Sequence, residues 1–301
     1  MEMNEKISAL CPGITVQRHV NMDKLTTLRV GGPADLLSEP ETEEALCALL
    51  RFARETDTPV LILGNGSNLL VRDGGVRGLV VRLGKSFSRI DRTEEGLYAQ
   101  SGALLSALAK AALEESLTGL EFAQGIPGTV GGGVYMNAGA YGGELGKQIA
   151  FVRIWDGESI RQIDGEDMDF AYRHSRAMAE GWTVLGAQFR LTPGDREAIA
   201  AAMRDYAARR KEKQPLEYPS AGSFFKRPTG LFAGALIEQA GLKGLQVGGA
   251  QVSEKHAGFL INRGGATAED FLRLKEQVQE AVMARFGVRL EPEVRIVGED
   301  K

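Results

Sequence analysis

Hydrophobic and polar positions along the chain alternate with two different periods, which predict short strands and several amphipathic helices. Leucine and alanine recur with helical spacing over residues 43–55 and again over residues 104–117. Runs of strand length, either apolar or alternating, occupy residues 60–63, 78–83, 96–101, 149–155 and 182–191. Because these strands come in clusters and do not alternate regularly with helices, the pattern favours an α+β fold over a βαβ array.

The C-terminal third of the chain has its own helix signals. Pro193-Gly-Asp195 interrupts the strand pattern, a helix is predicted from about residue 196 to about residue 210, and residues 209–219 are predicted to be a linker. Thr267-Ala-Glu-Asp270 resembles a capping box, with aspartate in the place of the usual glutamate, and Gly287 is placed to end the helix that follows it. The apolar stripe of that helix, which we assign to packing, consists of Phe271, Leu274, Val278, Ala281 and Val282.

Two segments concentrate glycine in predicted loops. Residues 125–143 read Gly-Ile-Pro-Gly-Thr-Val-Gly-Gly-Gly-Val-Tyr-Met-Asn-Ala-Gly-Ala-Tyr-Gly-Gly, and residues 64–68 read Gly-Asn-Gly-Ser-Asn directly after an apolar run. Glycine lets the backbone approach a ligand closely and adopt positive φ, so that successive amides can converge on an anion. Neither loop has a P-loop lysine or the dinucleotide-binding glycine spacing.

Each loop alone has a simpler interpretation. The long loop could be a surface connection without a ligand, and Asn65-Gly66 could be the turn of a hairpin. Two such loops in one domain, both rich in amides and without lysine, favour a long cofactor that is held at several points.

Composition limits the classes of function. The chain has 301 residues, 43% hydrophobic and 25% charged, which is ordinary for two or more globular domains. A net charge of −4 implies no general affinity for nucleic acid or for an anionic membrane. Cys11 and Cys47 give no disulfide framework, and with only three histidines we expect no metal site. Without an apolar leader or a membrane-length run, a cytoplasmic protein is expected.

Three polar segments, at residues 170–176, 220–228 and 290–298, place reactive groups among apolar neighbours. Arg173 and Arg176 offer forks for a carboxylate or phosphate, Ser223 follows a glycine, and Glu293 lies on a predicted strand. Each residue taken singly also fits a structural interpretation, in which the arginines are surface charges, the serine is a turn residue and the glutamate faces solvent on an edge strand.

Several motifs in a fixed order carry a family resemblance. They are Thr26-Thr-Leu-Arg-Val-Gly-Gly-Pro-Ala-Asp35, Gly64-Asn-Gly-Ser-Asn-Leu-Leu70, Gly125-Ile-Pro-Gly-Thr-Val-Gly-Gly132, Asn137-Ala-Gly-Ala-Tyr-Gly142, Tyr172-Arg-x-Ser175, Gly222-Ser-Phe-Phe-Lys226 and Glu291-Pro-Glu-Val-Arg295. Together they resemble the UDP-N-acetylenolpyruvoylglucosamine reductases, flavoenzymes that complete UDP-N-acetylmuramate synthesis for bacterial peptidoglycan. The resemblance covers residues 21–298.

The resemblance implies an α+β architecture with a two-lobed FAD-binding domain of the vanillyl-alcohol-oxidase type at residues 21–193, its lobes near 21–85 and 86–193. A C-terminal α+β substrate-binding domain would span residues 194–301, with 289–301 returning to the flavin site. The chain resembles the shorter subgroup, which lacks an extra segment over the substrate. The implied FAD-binding residues are Gly64, Asn65, Gly66, Ser67, Asn68, Leu69, Gly125, Ile126, Gly128, Thr129, Val130, Asn137, Ala138 and Gly139.

The resemblance also implies the chemistry. NADPH would reduce FAD, flavin N5 would deliver hydride to the vinyl carbon of the UDP-sugar enolpyruvate, and Ser223 would donate the proton. Arg173 and Glu293 would flank the substrate carboxylate and the developing enolate, where an arginine neutralises charge and a glutamate helps only if it is protonated or hydrogen-bonded. The implied substrate-binding residues are Tyr172, Lys213, Lys226, Arg227 and His256.

Two other classes of function stay open at this point. Another flavin oxidoreductase, acting on a sugar or an alcohol, would share both glycine loops without needing Arg173, Ser223 and Glu293. A nucleotide-binding protein or nucleotidyltransferase is disfavoured by the missing P-loop lysine and by the lack of clustered carboxylates for magnesium. His256 also fits a purely structural role, and the sequence gives no prediction of oligomeric state.

Overall fold

The computed structural model of the chain describes Ile7 and residues 14–301. Cys11 lies outside the described residues. The helices within residues 14–301 are α1 (Glu43–Glu55), α2 (Leu105–Glu114), α3 (Val130–Tyr135), α4 (Arg176–Ala179), α5 (Arg196–Lys213), α6 (Ala233–Gln239) and α7 (Ala268–Phe286). Short 3-10 helices occupy Met22–Lys24, Lys85–Phe87, Glu121–Gly125, Leu145–Gln148 and Gly165–Met168.

The strands of the described residues are mostly short. They are β1 (Val16–Asn21), β2 (Pro33–Ser38), β3 (Val60–Leu63), β4 (Leu69–Val71), β5 (Val76–Arg82), β6 (Ile90–Thr93), β7 (Gly96–Gln100), β8 (Leu117–Thr118), β9 (Gly139–Ala140), β10 (Gly143–Glu144), β11 (Ile149–Trp155), β12 (Ile160–Asp164), β13 (Thr183–Arg190), β14 (Thr192–Pro193), β15 (Ser220–Ser223), β16 (Gln246–Val247), β17 (Ala250–Val252), β18 (Phe259–Asn262) and β19 (Arg295–Val297).

Three larger sheets organise these strands. One has the order β1-β2-β5-β3, with β3 and β5 parallel. The second, β12-β11-β13-β7-β6, and the third, β15-β18-β17-β16, are antiparallel throughout. Smaller pairs join β9 to β10, β8 to β14 and, in parallel, β4 to β19. The predicted α+β class is confirmed.

Contacts between residues divide the chain into two compact units. The first contains residues 14–18, Leu36–Asn65 and Gly78–Arg209, and the second contains His19–Asp35, Gly66–Arg77 and Arg210–Lys301. Each unit is thus assembled from segments that are not consecutive in the chain. The domain bounds inferred from the sequence follow chain order, and they stay a prediction.

The described residues of the first unit form two hydrophobic cores, and amphipathic helices predicted from the sequence contribute their apolar faces to them. Strand β13 is buried along all its residues except Arg190, and it packs with α2 in the larger core. Helix α1 buries Leu46, Leu49 and Phe52 against the strand residues Leu79 and Val81 in the smaller core. The buried thiol of Cys47 lies in that smaller core too.

The second unit has one core, centred on α7. The predicted stripe is confirmed at Phe271, Leu274, Val278 and Val282, which are buried, whereas Ala281 is only partly buried. The capping box at Thr267 forms with both of its hydrogen bonds, and Gly287 ends the helix in the left-handed conformation with φ 66°.

One sequence prediction near the start of the second unit is wrong. Helix α5 continues to Lys213, so that residues 209–213 belong to the helix and not to a linker. These residues are Arg-Arg-Lys-Glu-Lys, which are all good helix formers. The helix ends one residue before Gln214, because the residue that precedes Pro215 disfavours the helical conformation.

Candidate active site

In the first unit, the two glycine-containing loops touch each other. The side-chain amide of Asn65 donates a hydrogen bond of 2.6 Å to the carbonyl oxygen of Pro127. A Cβ atom at Gly64 would lie 2.4 Å from Thr129 Oγ1, which is closer than protein atoms tolerate. Glycine at position 64 is therefore required by the close approach of the two loops.

The hairpin interpretation of the first loop is wrong. Strand β3, before the loop, pairs with β5, whereas β4, after the loop, pairs with β19 in another sheet. The backbone amides of residues 65–68 donate no hydrogen bond to any other residue that the structure describes. These four successive amides are therefore left as donors that could bind an anion such as a pyrophosphate.

The second glycine loop uses several of its amides inside the protein. Val130 N donates to Ala103 O and Gly131 N donates to Ser101 O, both at 2.8 Å. Thr129 caps α3 by accepting a hydrogen bond from Gly132 N. The expectation that the amides of this loop converge on an anion is therefore wrong for Val130 and for Gly131, since tertiary contacts satisfy them.

Asn137, at the end of the same loop, is almost completely buried with 2% of its surface exposed. Its Oδ1 accepts a hydrogen bond of 2.9 Å from Gly146 N, and its Nδ2 donates one of 3.0 Å to Ala171 O. The oxygen and the nitrogen of its side-chain amide therefore both bond to backbone groups of other segments. One of these groups belongs to Ala171, the first residue of the turn that carries Tyr172 and Arg173.

Arg173 lies at the tip of a tight turn in the first unit. Ala171 and His174 exchange two backbone hydrogen bonds, of 3.2 and 3.1 Å, around Tyr172 and Arg173. Arg173 adopts φ 54°, and its guanidinium carbon lies 5.0 Å from the centre of the Tyr172 ring. The turn thus presents a cation stacked on a partly exposed aromatic ring.

In the second unit, the segments that carry Ser223 and Glu293 lie side by side. Glu293 N donates to Phe224 O, and Lys226 N donates to Glu291 O, each at 2.8 Å. Backbone hydrogen bonds thereby bring together the segments that carry this serine and this glutamate, which are far apart in the sequence.

A bulge in strand β15 sets the direction of Ser223. Ser220 pairs with Ile261 and Ser223 pairs with Phe259, so three steps along one strand match two along the other. Gly222 takes up the extra residue with φ 77°, and a Cβ atom there would meet no atom within 4 Å. Glycine is needed at this position for its conformation and not for space, and Ser223 is exposed beyond it.

Within the second unit, the C-terminal segment lies against Asn68, which belongs to the same unit. Asn68 Nδ2 donates a hydrogen bond of 3.1 Å to Glu293 O, and Arg295 N donates one of 3.0 Å to Asn68 O. Strand β19 continues this contact by pairing in parallel with β4, from Leu69 onwards. Glu293 is consequently held beside Asn68, one of the residues predicted to bind the cofactor.

The cations predicted to bind substrate lie on the surface of the second unit. Lys213 is the exposed last residue of α5. Lys226 Nζ lies 3.6 Å from a carboxylate oxygen of Glu291; the lysine side chain is partly exposed and the glutamate side chain is largely exposed. The guanidinium carbon of Arg227 lies 5.3 Å from the centre of the Phe232 ring, and Phe232 is 62% exposed.

His256 is more enclosed than these cations. Its Nδ1 accepts a hydrogen bond of 3.1 Å from Gly258 N, and its ring packs edge-on against Phe259 at 5.0 Å. Burial lowers the pKa of His256 below its ordinary value of 6.5. The ring is therefore neutral at physiological pH, with its proton on Nε2.

Residues for which the sequence predicted no individual role connect distant segments of the second unit. Thr27 N donates to Gly66 O, and Thr27 Oγ1 donates across 193 positions to Ser220 O at 2.7 Å. Asn262 Nδ2 donates to Leu28 O at 3.1 Å. No local signal reveals these roles, because every partner is distant in the sequence.

Neither a metal cluster nor a membrane span was found in the part of the chain that the structure describes. No three His, Cys, Asp or Glu side chains there could hold a metal ion together. No described helix is both long enough and apolar enough to cross a membrane.

Two family models match the chain. Residues 34–160 match the FAD binding domain, and residues 214–297 match the C-terminal domain of UDP-N-acetylenolpyruvoylglucosamine reductase. Both glycine loops, at residues 64–68 and 125–143, lie within the first match, whereas Ser223 and Glu293 lie within the second.

Relatives with this reductase name match over nearly their full length. The enzyme of Agathobacter rectalis is 49% identical over 98% of both chains. That of Clostridioides difficile is 51% identical over 93% of this chain and 92% of its own. The crystal structure of the enzyme from Thermus caldophilus is 39% identical, with a TM-score of 0.82, over 94% of this chain and 99% of that one. The chain therefore belongs to the UDP-N-acetylenolpyruvoylglucosamine reductase family of FAD-dependent oxidoreductases.

Proposed function

We propose that the protein uses NADPH to reduce UDP-N-acetylglucosamine enolpyruvate to UDP-N-acetylmuramate, a step in peptidoglycan precursor synthesis. The observation that carries the proposal is the pairing of the Ser223–Lys226 and Glu291–Val294 segments beside Asn68. This pairing supports the proposal because it holds the backbone of the segment that carries Ser223, the proposed proton donor, beside the backbone of Glu293, which contacts Asn68 of a predicted cofactor loop. The reductase names of the relatives support the same reaction.

The residues present fit FAD. The row of amides at residues 65–68 suits its pyrophosphate, and the contact between Asn65 and Pro127 fixes the loop that carries them. When bound, FAD accepts a hydride from NADPH and supplies it to the vinyl carbon of the substrate. The other residues proposed to bind FAD are Gly64, Leu69, Gly125, Ile126, Gly128, Thr129, Val130, Ala138 and Gly139. Asn137 was predicted to bind FAD as well, but both ends of its side-chain amide are used inside the protein.

Ser223 is the proposed proton donor. Addition of a hydride to the vinyl carbon leaves negative charge on the carbon that bears the carboxylate, and that carbon must receive a proton. Ser223 is exposed and aimed by the bulge at Gly222, so its hydroxyl is accessible to a substrate. The serine is afterwards reprotonated from water.

Arg173 and Glu293 are proposed to act on the charge that develops during this step. The guanidinium of Arg173 would pair with the substrate carboxylate and stabilise the enolate, a fixed positive charge being most effective where water is excluded. Glu293 is held through its backbone by Phe224 and Asn68, which fixes the start of its side chain.

The substrate carries two phosphates and a carboxylate, whereas the protein has a net charge of −4. Local cations must therefore attract it, and the proposed contacts are those of Lys213, Lys226 and Arg227. Tyr172 would add an aromatic surface. His256 keeps Nε2–H as a donor because its Nδ1 already accepts from Gly258. The predicted domain bounds and the cytoplasmic location remain part of this proposal.

Replacing Ser223 with alanine tests the proposal. The Ser223→Ala protein should be reduced by NADPH at the rate of the unmodified protein, while reoxidation by the enolpyruvyl substrate slows by about 10²–10⁴-fold, the usual contribution of a proton donor. Ser159→Ala, in an exposed turn of the first unit, is the matched control and should behave as the unmodified protein. Reoxidation of the Ser223→Ala protein at the unmodified rate would exclude the serine as donor.

A further inference from the structure

The turn that presents Arg173 is hydrogen-bonded on both sides to the end of the second glycine loop. We propose that Asn137 and Ser175 are positioning residues for Arg173, and that Asn137 acts on the reaction through this turn and not as a ligand of the cofactor. The inference rests on the role proposed above for Arg173, and its test separates the two.

Asn137 fixes the first side of the turn. Its Nδ2 donates to Ala171 O at 3.0 Å, and its Oδ1 accepts from Gly146 N at 2.9 Å. With only 2% of its surface exposed, and with both ends of the amide used, the side chain is committed to the protein. Its φ of 44° shows that the backbone, too, is held in a conformation uncommon for a residue with a side chain.

Ser175 fixes the other side. It is fully buried, and its Oγ donates a hydrogen bond of 2.8 Å to Tyr135 O. The same oxygen accepts from Met178 N at 3.3 Å and thereby caps α4. Ala171 and Ser175, on either side of the turn, are thus tied to Tyr135 and Asn137 at the end of the glycine loop.

Arg173 lies between these two ties in a strained conformation. The second central position of a turn with positive φ usually holds glycine or asparagine, whereas Arg173 occupies it with φ 54°. Such strain persists only where surrounding contacts determine the conformation, and Asn137 and Ser175 supply those contacts. The strained residue is also the one whose charge the proposed reaction needs.

This arrangement predicts an effect that is confined to one half of the reaction. If the turn loosens, the guanidinium is no longer held at its place on the Tyr172 ring, and displacements of an ångström can slow a reaction by about 10²-fold. Reduction of the flavin by NADPH does not involve the enolate that Arg173 stabilises. Reoxidation by the enolpyruvyl substrate should slow, while reduction stays unchanged.

A double-mutant cycle between Asn137→Asp and Arg173→Ala tests the inference. In the Asn137→Asp protein a carboxylate oxygen replaces the donor to Ala171 and repels its carbonyl. We expect reoxidation to slow at least about tenfold in this protein, with no further loss when the change is added to Arg173→Ala. Hydrogen exchange of the peptide that spans residues 171–175 should speed up in the same protein without cofactor.

Asn65→Asp is the matched control. It removes the same type of bond, from an asparagine Nδ2 to a backbone oxygen, in the same unit but away from the turn. This change should lower FAD affinity and leave the exchange of residues 171–175 unaltered. Any slowing of reoxidation that Asn65→Asp causes should add to the slowing caused by Arg173→Ala.

The outcomes separate the possible roles. Additive effects of Asn137→Asp and Arg173→Ala, or loss of FAD from a folded Asn137→Asp protein, would overturn the inference. If the Asn137→Asp protein does not fold, Ser175→Ala takes its place in the double-mutant cycle with Arg173→Ala, and the rate of reoxidation is compared in the same way. If Arg173→Ala alone leaves reoxidation unchanged, the role proposed for Arg173 is wrong, whereas faster exchange at residues 171–175 would still support the positioning contacts.

Discussion

Arg173 combines a charge and a backbone conformation that do not usually occur together. At φ 54° a residue with a Cβ atom costs about 1 kcal/mol more than glycine, because its Cβ approaches the neighbouring backbone. Strained backbone conformations of this kind are concentrated at functional sites, which agrees with the role proposed for Arg173.

The strain at Arg173 leads to a stability prediction. Arg173→Ala and Arg173→Gly should both abolish most reoxidation by the enolpyruvyl substrate, since both remove the charge. Urea unfolding should nevertheless find the glycine variant more stable than the alanine variant by about 1 kcal/mol, because only glycine adopts positive φ without strain. An alanine variant as stable as the glycine variant would show that the backbone at residue 173 is not strained.

His256 gives a pH-dependent prediction at the same scale. Burial lowers its pKa in the folded protein below 6.5, so the unfolded chain binds a proton that the folded chain does not. The stability that this neutral ring contributes is complete above the ordinary pKa and is lost as the pH falls below it.

A His256→Gln variant tests this effect, since glutamine keeps an acceptor for Gly258 but does not titrate. Urea unfolding between about pH 5 and about pH 7.5 should show a steeper loss of stability on acidification for the unmodified protein than for the variant. Equal pH slopes for the two proteins would contradict the proposed burial of a neutral histidine.

Local sequence signals were sufficient to predict the elements that depend on local interactions. Helix α1 and strand β11 have the predicted bounds, and α7 begins at its capping box and ends at Gly287. Its stripe follows from helical periodicity alone. Helix α5 was predicted too short because a run of charges suggested a linker, although those residues favour helix.

The candidate site could be predicted only in part. Family motifs pointed to Ser223, Glu293 and Arg173, but periodicity and turn signals gave no reason to prefer them over surface roles. The bulge at Gly222, and the contacts of Asn137 with distant backbone, depend on partners that no local pattern specifies. Tertiary contacts also satisfy the amides of Val130 and Gly131, which glycine content alone could not reveal.

Helix α7 carries a second N-terminal cap that comes from another part of the second unit. The carboxylate oxygens of Asp73 accept hydrogen bonds of 3.0 Å from Ala268 N and Glu269 N. Asp270 completes the capping box by accepting from Thr267 N at 3.0 Å. Two carboxylates thus stabilise the positive end of the helix dipole.

Asp73→Ala should lower the free energy of unfolding by about 0.5–2 kcal/mol, the usual cost of losing a cap. Glu280→Ala, on an exposed position of the same helix, is the control and should change stability by less than about 0.5 kcal/mol. Chemical unfolding of both variants measures the difference. If the two variants are equally stable, Asp73 does not act as a cap.

At the scale of the whole molecule, the residues proposed for the reaction are distributed over both units. The first unit holds Asn65 and the turn of Arg173, while the second holds Ser223, Glu293 and the surface cations. Another flavin oxidoreductase would need the glycine loops but not this set of residues. Turnover of the enolpyruvyl substrate therefore distinguishes the proposed reductase from flavoenzymes that act on other alcohols or sugars.

The most direct test of the account is the visible absorption spectrum of the purified protein, followed without oxygen through two additions. NADPH should bleach the flavin bands, and UDP-N-acetylglucosamine enolpyruvate should then restore them with formation of UDP-N-acetylmuramate. A protein that binds no flavin even with added FAD would contradict the cofactor site. Flavin that stays bleached after the enolpyruvyl substrate is added would contradict the proposed reaction.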